Sequence, residues 1–193
     1  MLRSAWERIV FDLREPNFMY REDEAMLGLP KGEVFLVPWT KEWQTEFDLE
    51  REKIQNNIGQ YIIHIHHIGS TAVEGLSAKP IIDIAVEIQN FHDRKHCISP
   101  LESLGYVYRG TNILPERHYF NKGEPRTHQI HMYETGSKYL AEQLQFRDYL
   151  RNNDHARKEY QELKTRLSQT NKYNKHQYAE EKSQFVHSIL KKL

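Results

Sequence analysis

Two Ile-rich runs constrain this chain more than any other feature. Tyr61 to Ile68 and Ile81 to Ile88 both read as β-strands. The segment between them holds Gly69, Ser70, Thr71 and Gly75, so the first strand must end in a sharp turn. Only one charged residue, Asp83, interrupts Ile81-Ile82-Asp83-Ile84-Ala85-Val86. A carboxylate among so many Ile and Val side chains is costly to bury unless it is paired or metal-bound. The chain must therefore pair these strands in one sheet and give Asp83 a partner.

The rest of the sequence supplies the other elements. Trp43, Phe47, Ile54 and Ile58 form one helical stripe, which Thr40 can cap. Glu33 to Pro38 alternates like a short strand. Phe91 to Leu104 reads as a helix disturbed at Pro100 and ended by Gly105. Tyr106 to Arg109, His118 to Asn121 and Thr127 to Tyr133 read as strands, with Gly123-Glu124-Pro125 turning between the last two. From Ser137 onward the periodicity is helical, and the Leu140/Leu144 and Leu163/Leu167 stripes belong to the core. A small mixed sheet followed by a helical third is α+β, or α/β with a small sheet. Residues 1–33 read as an N-terminal appendage, with a helix on Trp6, Ile9, Val10 and Leu13, and residues 34–193 as the domain.

Composition removes several function classes. The chain has 193 residues, which suits one domain that builds a core without staples. One Cys, Cys97, excludes a disulfide framework and a thiolate zinc site, and suits a reducing, cytoplasmic setting. No apolar run is long enough for a membrane-spanning helix. Net charge is zero, which argues against a nucleic-acid partner. The charge is uneven, however. Residues 1–57 carry 8 basic and 12 acidic side chains, whereas residues 138–193 carry 12 and 7.

Gly69-Ser70 at the end of a strand can aim backbone N–H groups and a hydroxyl at a phosphate. Gly69 allows close approach because it has no side chain. With Asp83 thirteen residues after Ser70, on the next strand, this is the arrangement of a nucleotidyltransferase, with phosphate on Gly-Ser and metal on strand carboxylates. The other open reading is a strand–turn–strand whose Asp83 pairs with Lys79 or an Arg.

The run from His67 to Ile84, His-Ile-Gly-Ser-Thr-Ala-Val-Glu-Gly-Leu-Ser-Ala-Lys-Pro-Ile-Ile-Asp-Ile, resembles the signature of the GrpB family. That family usually has Pro at the position of Glu74. Further blocks resemble it in order: Val37-Pro38-Trp39 with Trp43 and Phe47, Leu104-Gly105-Tyr106, Lys122-Gly123 to His131, Phe146 to Arg151, and Tyr178 to Phe185. The resemblance covers roughly residues 34–190 and implies a nucleotidyltransferase-like fold. The same domain also occurs fused to dephospho-coenzyme A kinases.

Two departures from an active nucleotidyltransferase stand out. Such enzymes place two carboxylates at alternate positions of one strand, which share a face. Here the pair would be Asp83 and Ala85, and alanine cannot ligate metal. The strand that should supply a third carboxylate offers His128, Gln129 and His131, and the family commonly has His where this chain has Gln129. Asp83 with His67 and His131 would suit manganese, iron or zinc better than magnesium.

The expected site follows. Ser70 and Asp83 are the catalytic candidates. Gly69, Ser70, Lys79, Arg117, Arg147 and Lys182 are candidates to bind a nucleotide or other phosphorylated small molecule. Asp83, His67 and His131 are candidate ligands for a divalent metal (Mg, Mn or Zn). His64 and His66, one strand alternation apart, could also chelate a metal or simply be solvated. His118 reads as a strand-surface residue, His128 as structural, and His92, His96, His155, His176 and His187 as solvated helix residues. Two functions are compatible with this set. One is an enzyme-like site that transfers a nucleotidyl or phosphoryl group. The other is a catalytically degenerate binding, regulatory or folding-assistance module on the same fold. Convergence of Asp83, His67 and His131 on one pocket would favour the first.

Overall fold

The computed structural model describes residues 27–111, 114–171 and 174–193. The expected helix on Trp6 to Leu13 lies outside them. Five strands, β1 (Ile62–Ile68), β2 (Ile82–Ile88), β3 (Tyr106–Tyr108), β4 (His118–Lys122) and β5 (His128–Glu134), form one mixed sheet in the order β1-β2-β5-β4-β3. Only the β2–β5 pair is parallel. The helices are α1 (Glu42–Ile58), α2 (Arg94–Ser103), α3 (Lys138–Asn152), α4 (Asp154–Thr170) and α5 (Lys175–Leu190). This is the small mixed sheet with flanking helices and a helical C-terminal part that the nucleotidyltransferase-like resemblance implied.

Strand alternation divides β2 cleanly between the two faces of the sheet. Ile82, Ile84, Val86 and Ile88 join Trp43, Phe47, Ile54 and Ile58 of α1 and Cys97 and Leu101 of α2 in the main core. Asp83, Ala85 and Glu87 project to the opposite face. There α3, α4 and α5 close over one end of the sheet, packing Leu150, Ala156 and Tyr160 on Val73 and Leu76.

Several local expectations change. Glu33 to Pro38 does not form a strand: it makes a single bridge, Val37 with Ala78. Proline has no N–H to donate, and Pro80 stands where the next bonded pair with Phe35 would need one, so the ladder cannot extend in that direction. Near the start of the described residues, Gly28 N–H donates to the Pro80 carbonyl (2.9 Å) and Leu29 bridges Arg126. His118 is not a surface residue. It is fully buried, with Nε2 bonded to the Phe91 carbonyl (3.1 Å) and Nδ1 to the Tyr108 hydroxyl (3.0 Å). The reason is register: His118 lies on the face of β4 that carries Phe120 into the core.

Glu50 is the charged member of the buried α1 stripe, and Lys122 Nζ meets it at 2.7 Å. At the start of α4 the Asn153 carboxamide accepts from Ala156 N–H at 2.9 Å. Asn153→Ala should therefore lower stability by about 1 kcal/mol. Thermal melting checks this; an unchanged melting temperature would show that the cap contributes nothing.

Candidate functional site

A cavity of about 400 Å³ lies between the Gly69-Ser70 turn, the Asp83 face of the sheet and helices α3 to α5. That volume is in the range of small-molecule sites. Asp83 sits at its floor. Gln129 of β5 is registered beside Asp83, and its Nε2 donates to Asp83 Oδ1 at 3.0 Å. His131, two residues on and on the same face, places Nε2 3.5 Å from the same oxygen. The Tyr119 hydroxyl donates to Gln129 Oε1, which fixes the amide with its NH₂ towards Asp83. Burial would raise the Asp83 carboxyl. The hydrogen bond from His131 and the charges of Lys79 and Lys182 outweigh that, and hold it below the ordinary aspartate range.

Gly69 is required for this geometry twice over. Its φ of +72° is in the left-handed region. A Cβ there would stand 2.6 Å from Asp83 Oδ2, closer than atoms can approach. The turn continues as a short 3₁₀ helix, Ser70–Ala72. Tyr160 of α4, which lines the cavity with Ser70, is a buried phenol whose burial raises its pKa.

Lysines from three segments line this side of the cavity. Lys79 and Lys182 line the cavity and act electrostatically on Asp83. Lys79 Nζ also stands 5.2 Å above the Tyr178 ring. The third, Lys164, is almost fully buried, donates to the Ser77 carbonyl and stands 5.0 Å above the Tyr160 ring. Burial, with the charges of Lys182 and Lys79 added, pushes the Lys164 ammonium well below the ordinary lysine range. Lys164 was not among the sequence candidates. Its signal was present: Tyr160, Lys164 and Leu167 share one helix face, so a lysine on the apolar stripe of α4 had to be buried. His187, read as solvated, also lines the cavity.

Other candidates are placed elsewhere. His67 is registered opposite Ile84, while Ile68 is opposite Asp83, so the His67 ring projects to the other side of the sheet. It stacks on Phe47 of α1 at 4.7 Å, with its nitrogens at Gln44 Oε1 (3.4 Å) and Thr71 Oγ1 (3.0 Å). Arg147 borders the cavity, but its guanidinium is held by the His67 carbonyl (2.9 Å) and both oxygens of Asp148 (2.8 and 3.1 Å). Arg117 stands behind the site, bonded to His131 Nδ1 at 3.1 Å and stacked over Tyr119 at 5.1 Å.

These contacts test whether a metal fits at Asp83. Arginine can only donate, so His131 Nδ1 must accept, and the neutral ring then carries its proton on Nε2. That proton and the Gln129 NH₂ both point at Asp83 Oδ1. The Ala85 position is fully buried beside Tyr133 and Leu140 and offers no donor. Asp83 is thus surrounded by N–H groups, and the residues present do not fit the metal pair of a nucleotidyltransferase. Among the described residues, the group of three that could hold a metal is His64, His66 and Glu87.

The family model described as GrpB protein matches residues 33–192. The chain belongs to the GrpB family. It is 36% identical over 174 residues to the glutamate-rich protein GrpB of Alkalihalophilus pseudofirmus, covering 87% of this chain and 100% of that one. It is 37% identical over 158 residues to the UPF0157 protein YqkA of Bacillus subtilis, covering 81% of this chain but 46% of YqkA, so it spans about half of that relative's length. The crystal structure of conserved protein GrpB from Enterococcus faecalis superposes with a TM-score of 0.76 at 30% identity, over 82% of this chain and 98% of that one. Among the described residues no helix is long and apolar enough to cross a membrane.

Proposed function

We propose that the cavity binds a nucleotide or another phosphorylated small molecule, and that it does so as a binding module rather than as a two-metal transferase. The observation that carries this reading is the gathering of Lys79 and Lys182 around one cavity with the Gly69-Ser70 turn, with the Lys164 amine beside them. Lysine ammoniums and backbone N–H groups complement phosphate oxygens, and partial exclusion of water strengthens them. Asp83, ionised at neutral pH, accepts a hydrogen bond from a hydroxyl or amino group of the ligand. The ligand therefore carries both an anionic group and a neutral donor, as nucleotides and sugar phosphates do. Metal-dependent transfer is the less supported reading, because Asp83 faces N–H donors and its strand partner is Ala85.

A thermal-shift series with nucleoside mono-, di- and triphosphates and sugar phosphates, with and without magnesium or manganese, tests this. A ligand at a hundred times its Kd adds about 2.7 kcal/mol, which is roughly 5–10 °C for a chain of this size. The shift should persist without metal, weaken at high salt, and fall at least tenfold in apparent affinity in Lys182→Ala. If no phosphorylated compound shifts the melting curve, the reading is wrong. If binding requires magnesium and Asp83→Ala abolishes product formation, two-metal transfer is restored.

A further inference from the structure

On the same face of the sheet, β1 and β2 bring together a second set of chemically capable side chains. His64 and His66 are alternate residues of β1, so both rings project from the face that carries Asp83. Glu87 of β2 is registered opposite His64. His64 Nδ1 lies 3.0 Å from Glu87 Oε2, and His66 Nε2 lies 3.9 Å from that oxygen. The two rings are 5.6 Å apart, and the three ligand atoms fall within 4.8 Å of one another. A tetrahedron built on metal bonds of about 2.0–2.1 Å has edges of about 3.3 Å. The two histidine–carboxylate separations bracket that value.

Three further observations favour a ligand here over a chance cluster. The His66 Nε2 atom is buried and has no hydrogen-bond partner. Buried ring nitrogens normally find one. Glu87 Oε1 accepts from the Thr135 hydroxyl at 2.7 Å, which leaves Oε2 turned to the histidines. Such outer contacts orient metal-binding carboxylates. Finally, β1 is an edge strand and the His64 side chain is 63% exposed, so an ion can enter.

We propose that His64, His66 and Glu87 hold a divalent transition-metal ion of the zinc class, with the remaining coordination position open to water. Two imidazoles and one carboxylate suit zinc, manganese or iron, whereas magnesium requires oxygen ligands throughout. The site is distinct from the one the fold resemblance implied. Glu87 is four residues beyond Asp83 on β2, about 13 Å away at roughly 3.3 Å per residue. It stands independently of the phosphate-binding reading of the cavity.

The test uses untagged full-length protein, stripped with a chelator and titrated with zinc, with cobalt as the spectroscopic substitute. One equivalent should bind, with a cobalt absorption band in the visible, and magnesium should not compete. His64→Ala and His66→Ala should each weaken binding at least a hundredfold. Glu87→Gln preserves the side-chain shape and should weaken it strongly, and Thr135→Ala should weaken it about tenfold, as lost outer-shell contacts do. His92→Ala, on an exposed residue outside the group, and Asp83→Ala should retain the full stoichiometry. Circular dichroism of each variant separates lost ligation from lost fold. Absence of stoichiometric binding, or equal affinity in a folded His64→Ala/His66→Ala double variant, overturns the proposal.

Discussion

Lowering the pH from 7 to 5 is expected to reduce the melting temperature by about 10–20 °C. The cause is three buried histidines. Burial holds the imidazoles of His67, His118 and His128 down to about 4. Each is at most 6% exposed. In the unfolded chain they titrate near about 6.5. Because the folded values are depressed, the unfolded state binds more protons between those two values. The contribution is complete above about pH 6.5 and is lost progressively as the pH falls towards about 4. That loss is about 2 kcal/mol per histidine at pH 5, hence about 6 kcal/mol for the three. Melting curves at half-unit intervals from pH 7.5 to 4.5 measure it, and His118→Gln should remove about a third of the slope. A melting temperature that stays level from pH 7 to 5 would contradict the buried neutral state.

Gly69→Ala should damage both stability and ligand binding. A side chain at a φ of +72° costs about 1–2 kcal/mol by itself. The new Cβ would also sit 2.6 Å from Asp83 Oδ2 and drive that carboxylate away from Gln129 and His131. Breaking those bonds in a partly buried site adds about 1–3 kcal/mol. The sum corresponds to a fall of roughly 5–15 °C. Gly75 is an internal control: its φ is +75°, but nothing lies within 4 Å of its Cβ position. Gly75→Ala should show the backbone cost alone and keep ligand binding. Equal losses in the two variants would mean that the Gly69–Asp83 approach has no energetic role.

The strands, most of the helices and the Gly69-Ser70 turn were legible because their signals are local. Ile82 to Ile88 alternates one charged or small residue with each branched one, and that pattern is the two-faced environment of β2 itself. The family resemblance was legible for a related reason: its blocks are short contiguous runs. Errors arose where a residue's environment depends on a remote partner. His118 reads like a surface histidine until Phe91 stacks on it at 3.8 Å. Glu33 to Pro38 alternates like a strand, but no ladder can grow beside Pro80.

By itself, the sequence determined the element types, the two-faced β2 strand with Asp83 on it, and the absence of a second carboxylate at Ala85. These depend on backbone periodicity and residue identity, which a linear chain displays. Only the tertiary structure decided which side chains share the site. The parallel pairing of β2 with β5 sets Gln129 and His131 against Asp83 across 46 and 48 positions of sequence. A single step of alternation on β1 sends His67 to α1 and leaves His64 and His66 facing Glu87. The closing helices bring Lys164 and Lys182 over a turn formed 94 and 112 residues before them. Such neighbours are set by register and by packing of distant segments, and neither leaves a local trace in the chain.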